Sequence, residues 1–222
     1  MDKTTALRLA KEMKIYFEQI LREEWEMMIL KRLFESPFGK DLVFKGGTAL
    51  RLAYNSPRFS KDLDFSILKK ISDKEFSSEI KKIESQFPQV KITDLKSKYY
   101  TYLAEFKVKE DWKETPFRIK VEISKRKTFK KGKGYELLLL TSLVTNVQAL
   151  GNVATLEQII KEKYRAARSR GKARDIFDLW FINQKLKRKL DLKGIKVPRK
   201  EMKRDLRKYL PENYWPVIEK LG

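Results

Sequence analysis

The sequence has no cysteine and no histidine among its 222 residues. Their absence removes whole classes of chemistry. There can be no disulfide, no thiolate metal site, no cysteine nucleophile and no Ser–His pair. Zinc sites built on His or Cys are excluded too. Any bound metal must take oxygen ligands, which selects a hard ion such as Mg²⁺ or Mn²⁺. General acid–base work falls to Asp, Glu, Lys or Tyr. Long apolar runs are also missing. The longest, Met27 to Leu30 and Leu137 to Leu140, are far too short to span a bilayer. Residues 1–20 are charged and amphipathic and lack the apolar run of a signal peptide. The expectation is a cytoplasmic protein with no membrane partner.

Negative charge is in short supply. There are 51 Lys and Arg against 30 Asp and Glu, a formal +21, and charged residues make up 36% of the chain. That imbalance does not decide a fold. It predicts attraction to polyanions, nucleic acid above all, with a steep salt dependence. The competing reading is a solvated basic surface without a specific partner. Hydrophobic content, at 41%, is ordinary, and the length suits one sizeable core or two small lobes sharing a groove.

Apolar spacing from about Leu7 to Phe34 predicts two helices, or one long bent helix, ending near Ser36-Pro37. Asp41 to Lys45 reads as a short strand, Gly46-Gly47 as a turn and Thr48 to Tyr54 as a helix. Asp62 to Ile67 alternates polar with apolar, the period of a two-faced strand. Ser72 to Phe87 reads as a capped helix, and Val90 to Leu95, Tyr99 to Val108 and Phe117 to Ser124 as strands. Tyr135 to Leu140, with Leu143, Val144 and Val147, reads as strand or turn leading into Thr155. Thr155 to Arg170 follows as a helix, with Thr155 and Gln158 spaced as a capping box. Gly171 breaks that helix, Ala173 to Lys185 forms another, and Val197 to Tyr209 a third. The pattern implies an α+β fold: a mixed α+β lobe with N-terminal helices over residues 1–147, then a helical lobe over 148–222.

Four constellations carry chemistry. Asp62 and Asp64 stand at i and i+2 on a strand, so both carboxylates share one face a few Å apart. Two bare anions that close repel unless a cation relieves them. A divalent ion bridging them to phosphates would do so, whereas a solvated strand edge is the bland alternative. Upstream, Lys45-Gly46-Gly47-Thr48 lies between a strand and a helix. Paired glycines let a phosphate approach the backbone, and a helix N-terminus offers unpaired N–H groups. Thr48 could cap that helix or donate to phosphate, and Arg51, Arg58 and Ser60 are placed to touch a triphosphate or to be surface residues. Glu122 sits on the polar face of its strand with Lys120 and Ser124. It could complete a two-metal site or draw a proton from an attacking hydroxyl, although position alone favours an ion pair across strands. Finally, Glu162 to Trp180 sets Lys163, Ala167 and Arg170 on one helix face, with Asp175 and Asp178 one turn apart on the next helix. Such a corner could bind phosphates and a base or ribose. Ion pairing within the helices is its alternative.

The order of these pieces is more specific than any one of them. A strand, a Gly-Gly turn, a helix, a DxD strand and then a strand with a third carboxylate resemble the DNA polymerase β-like nucleotidyltransferase fold. Four segments resemble the AbiEii/AbiGii toxin family within it: Phe44 to Arg51, Arg58 to Phe65, Lys120 to Ser124, and Glu162-Lys163 through Arg174 to Trp180. The resemblance implies that Gly46, Gly47, Thr48 and Ser60 hold the triphosphate of an NTP substrate. It implies that Asp62 and Asp64 bind Mg²⁺, and that Lys163 with Asp175 or Asp178 is needed for activity. Family members act as toxins of toxin–antitoxin or phage-abortive systems, and some transfer nucleotides to the acceptor end of tRNA. The resemblance therefore implies RNA as substrate, tRNA among the candidates, and a cognate antitoxin as partner. Glu122 would be third ligand or base, and Arg165, Arg168, Arg170 and Lys172 would help to hold RNA. A nucleic-acid-binding module with an altered site, or transfer to a protein or small molecule, are the alternatives.

Overall fold

The computed structural model describes residues 1–126, 128–197 and 199–221. The apolar positions of the N-terminal region form two helices, α1 (Lys3–Met13) and α2 (Phe17–Glu35). Asp2 accepts a hydrogen bond from the Thr5 backbone N–H and so caps α1, and Lys14 ends it in the left-handed conformation. After a short 3₁₀ turn come β1 (Leu42–Lys45), α3 (Gly46–Tyr54) and β2 (Asp62–Ile67). Next, α4 (Asp73–Gln86) begins with a complete Ser72/Glu75 capping box. β3 (Val90–Ser97), β4 (Thr101–Val108) and β5 (Phe117–Ser124) follow as an antiparallel set. β6 (Tyr135–Leu140) and β7 (Ala149–Ala154) close the sheet. α5 (Leu156–Arg170), α6 (Ala173–Lys185), α7 (Arg199–Leu206) and α8 (Trp215–Leu221) complete the chain. The helix expected over Val197 to Tyr209 is thus shorter, and Pro198 lies outside the described residues.

One seven-stranded mixed sheet runs β3-β4-β5-β2-β1-β7-β6. One face packs against α2 and α4 through a large core that includes Met27, Leu30, Phe44, Phe65, Ile80, Tyr102 and Val121. The clean alternation of β5 explains its part: Phe117, Ile119, Val121 and Ile123 are buried, whereas Arg118 is exposed and Lys120, Glu122 and Ser124 are half-buried. A second core gathers α5 and α6 against Val43, Leu50 and Ala154 on the other side of β1, α3 and β7. Met202, Leu206, Leu210 and Ile218 belong to it, so the Lys-rich tail is a packed element. That tail also braces the loop before β2, where the Phe59 N–H donates to the Tyr209 carbonyl at 2.8 Å.

Two expectations need correction. The strand or turn read from Tyr135 to Val147 leads into Thr155 without marking β7, yet β7 pairs parallel to β1 and antiparallel to β6. The sheet therefore runs past residue 147 to Ala154. Gly151 makes that strand hard to read: a Cβ there would lie 2.2 Å from the Phe34 ring, so packing demands glycine where strand propensity disfavours it. The Thr155/Gln158 capping box does not form, and Thr155 makes no side-chain cap. Its backbone N–H already donates to the Gly134 carbonyl, leaving Gln158 nothing to reach back to.

Glu26 on α2 is 2% exposed, and its Oε1 has no hydrogen-bond partner. Burial pushes its carboxyl well above the usual range. The Arg22 charge opposes this, while Glu23 and Asp62 add to it and Arg51 opposes it. The folded state therefore holds this proton more tightly than the unfolded chain, and stability falls as pH rises above the ordinary Glu value. Glu26→Gln should raise the melting temperature by several degrees at pH 8 and by little at pH 4, as read by thermal denaturation. An equal shift at both pH values would refute a buried, protonated Glu26.

Candidate active site

The register of β2 assembles the site. Antiparallel pairing with β1 sets Lys45 beside Asp64, and parallel pairing with β5 sets Glu122 on the other side. Asp62 lies opposite Lys120 in the same ladder. Paired residues point to the same face, so three carboxylates and two lysines from three strands share one side of the sheet. Glu122 turns its carboxylate to Lys120, two residues back on its own strand, and the two form an ion pair. The expected pairing is therefore within one strand rather than across strands. Lys45 Nζ reaches α5, where it meets Glu162 Oε2 at 2.9 Å.

The two glycines, expected as a turn, instead open α3, and they make room for the site's own side chains. Gly46 has φ +80°, and a Cβ there would lie 2.5 Å from Asp64 Oδ2. At Gly47 a Cβ would lie 2.3 Å from Arg58 Nη2 and 2.9 Å from Ser60 Oγ. The first N–H groups of α3 lack intrahelical partners and lie beside this crowded corner. Ser60 is half-buried there.

Three residues expected at the triphosphate are engaged elsewhere. Thr48 is 1% exposed, and its hydroxyl donates to the Asp62 carbonyl at 2.6 Å, tying α3 to the start of β2. Arg51 Nε donates to Glu23 Oε2 at 2.8 Å, and its guanidinium stacks 3.9 Å from the Phe59 ring centroid. Arg58 is 3% exposed and grips Asp178 with two bonds, Nε to Oδ1 at 2.7 Å and Nη2 to Oδ2 at 2.8 Å. All three hold the loop that feeds β2.

Asp178 begins a buried chain of charges. Lys163 Nζ lies 2.6 Å from Asp178 Oδ2 and 3.3 Å from Asp175 Oδ1. Asp175 is in turn held by Arg170, with Nε at 2.8 Å from Oδ2 and Nη2 at 2.9 Å from Oδ1. Asp175 and Asp178 are both fully buried. Burial pushes each carboxyl up. Arg58 and Lys163 outweigh this at Asp178, and Arg170 and Lys163 at Asp175, so both stay below the usual range. Three cations meet two anions here, leaving one positive charge facing the β2 carboxylates. Arg165, Arg168 and Lys172, also expected to hold RNA, are exposed around this corner, as is Arg170.

Asp64 is pushed up to about 6 by its burial and then by the Asp62 charge, with Lys163 pulling it down, Glu122 adding to the rise and Lys45 opposing it. Keeping it ionised at neutral pH therefore costs about 3 kcal/mol. Lys120 is held charged by its hydrogen bond to Glu122, then by the charges of Glu122, Asp62 and Asp64, against the effect of burial.

The comparisons with known proteins give the family and the fold. Residues 28–214 match the family model described as nucleotidyl transferase AbiEii toxin, type IV toxin–antitoxin system. The chain belongs to the AbiEii family. It is a nucleotidyltransferase toxin of that type. No curated protein matches the sequence. Among solved structures, JHP933 from Helicobacter pylori is 27% identical with a TM-score of 0.57, over 77% of this chain and 68% of that one. MenT4, a nucleotidyltransferase toxin from Mycobacterium tuberculosis, is 21% identical with a TM-score of 0.62, over 92% of this chain and 68% of that one. That second likeness carries the fold alone.

A nucleotidyltransferase of this family implies an NTP substrate and, as a rule, a divalent metal. The donor set fits one. Asp62 and Asp64 offer only hard oxygen donors, and their mutual repulsion is the strain that a cation relieves. Among the described residues no three acidic side chains converge tightly enough to cage an ion, because Glu122 is paired with Lys120. Lys45 and Lys120 are the residues that sequence reasoning passed over as site members. Their positions directly before Gly46 and two residues before Glu122 were the available signal.

The charge chain makes one prediction. Asp178→Asn leaves Arg58 and Lys163 buried with a neutral partner and should destabilise the fold by about 3–5 kcal/mol in denaturant unfolding. Arg165→Ala, on the exposed rim, should change stability by less than about 0.5 kcal/mol.

Proposed function

We propose that this AbiEii nucleotidyltransferase moves a nucleoside monophosphate from an NTP onto a hydroxyl of RNA, the 3′ end of tRNA being the leading acceptor. The observation that carries the reading is the strand register, which lines up Asp62, Asp64 and Glu122 beside Gly46-Gly47. In the reaction, the acceptor hydroxyl oxygen bonds to the α-phosphorus, the bond to the β-phosphate oxygen breaks, and pyrophosphate leaves with that electron pair. Glu122, released from Lys120, is the base placed to take the hydroxyl proton. Asp62 and Asp64 would hold Mg²⁺ or Mn²⁺, which would supply positive charge against the triphosphate and the pyrophosphate.

The remaining residues position the substrates. The α3 N-terminus at Gly46-Gly47 and the Ser60 hydroxyl receive the triphosphate. Lys163, oriented by Asp175 and Asp178, holds a positive charge against the phosphates, and Arg58 keeps Asp178 in place. Arg165, Arg168, Arg170 and Lys172 line the rim where a polyanionic acceptor arrives, consistent with the formal +21. A cognate antitoxin is the expected partner in the cell.

The test is incubation of the protein with labelled NTPs, Mg²⁺ and total tRNA. Wild type should label RNA, and Asp62→Ala should lose at least about 100-fold of that rate. Equal labelling by the two proteins would sink the site. A second readout does not depend on activity. Asp64→Asn removes the like-charge repulsion, so it should raise the melting temperature of the metal-free protein by several degrees and abolish any further rise on adding Mg²⁺.

A further inference from the structure

We infer that the Tyr99–Tyr100 turn between β3 and β4 is a base-stacking post for a single-stranded RNA acceptor on its way to Glu122. The inference rests on the RNA reading above and names where the acceptor lies.

The turn is unusual for its residues. Lys98 and Thr101 exchange backbone hydrogen bonds at 2.8 and 3.4 Å, so Tyr99 and Tyr100 occupy the two tip positions of a tight hairpin. Gly, Asn and Asp are the residues such tips favour. Here both are aromatic and exposed, Tyr99 at 85% and Tyr100 at 52%. The turn does not need their rings. Lys125 holds it from below: its N–H donates to the Tyr100 carbonyl at 2.9 Å, and its Nζ donates to Ser97 Oγ at 2.6 Å and to the Lys98 carbonyl at 2.7 Å. The two rings meet edge to face, centroids 4.5 Å apart at 89°, and the Arg126 guanidinium lies 4.6 Å from the centre of Tyr100. Two large rings are thus kept in water, ordered by each other and by an arginine, with no core to serve.

Their place relative to the site is set by register. Thr101 pairs with Ser124, and Ser124 stands two residues beyond Glu122 on β5. Arg126 is four residues beyond Glu122, two past the end of β5 at Ser124. Glu122 stands between the turn and Lys120, Arg118 and Lys107, which continue the same face of β5 and β4 toward its other end, where Glu105 pairs with Arg118. This face lies on the side of the Asp pair away from Gly46-Gly47, where an acceptor would enter opposite the triphosphate. Cations that track a backbone and aromatic rings that receive bases are the two parts of a single-strand binding surface.

The test uses the full-length protein and an unstructured RNA oligonucleotide with a free 3′ end, followed by fluorescence anisotropy and by nucleotide transfer. Tyr99→Ala/Tyr100→Ala should weaken RNA binding about 10-fold or more and raise the KM for RNA alike, leaving the KM for NTP and kcat at saturating RNA unchanged. Tyr99→Trp/Tyr100→Trp, which keeps the stacking surface, should bind within about 2-fold of wild type. Equal melting temperatures would show that the alanine variant is folded. If wild type binds RNA and the alanine variant binds it equally, the post is overturned while the RNA reading stands. If wild type neither binds nor labels RNA, the RNA reading falls and the post with it. Tighter binding of a DNA oligonucleotide of the same sequence would overturn RNA as the occupant.

Discussion

The two-point grip of Arg58 on Asp178 is the interaction on which the site depends. It joins the loop before β2 to α6 across 120 residues of sequence, with both side chains out of water. Neither charge could sit there alone, since an isolated buried ion costs several kcal/mol. Because Asp178 also holds Lys163, the same pair fixes where the ammonium of α5 stands relative to Asp64. Gly47 is glycine so that the guanidinium can pass. A loop and three helices are thus registered by one ion pair.

On the sheet side the logic is reversed. The helical corner pairs both of its buried carboxylates and keeps one positive charge over, whereas the β2 carboxylates are left in mutual repulsion, with Asp64 raised to about 6. Stability is given up at the proposed cation and nucleotide site, and recovered in the two cores on either side of the sheet. Lys120 and Lys45 moderate the repulsion from neighbouring strands without cancelling it, since each is paired with a glutamate of its own.

Much of this was legible in the chain. The alternation of Phe117 to Ser124 and of Asp62 to Ile67 marked both strands within a residue, because a half-buried strand must separate its faces at period two. The Ala173 to Lys185 helix was equally plain, whereas Gly46-Gly47, read as a turn, are the first residues of α3. β7 was not legible, since Gly151 answers to the Phe34 ring and not to strand propensity. Nor could the buried partners of Thr48, Arg51 and Arg58 be read from the sequence. A polar residue near a motif has the same letters whether it faces a ligand or a buried carboxylate, and the partner that decides it, Asp178 or Glu23, is far away in sequence.

By itself, the sequence determined the kind of chemistry. Without Cys or His it left only oxygen ligands for a metal, its net charge of +21 pointed to a polyanion, and its ordered motifs named the family. These follow from side-chain chemistry and local periodicity, which need no neighbours. Tertiary structure decided which charged groups are drawn into buried pairs and which stay exposed. It turned Glu122 toward Lys120, drew Arg58 inward, and left Tyr99 and Tyr100 outside. The physical reason is that a charge or ring is assigned its role by the partner that reaches it, and that partner is supplied by the fold.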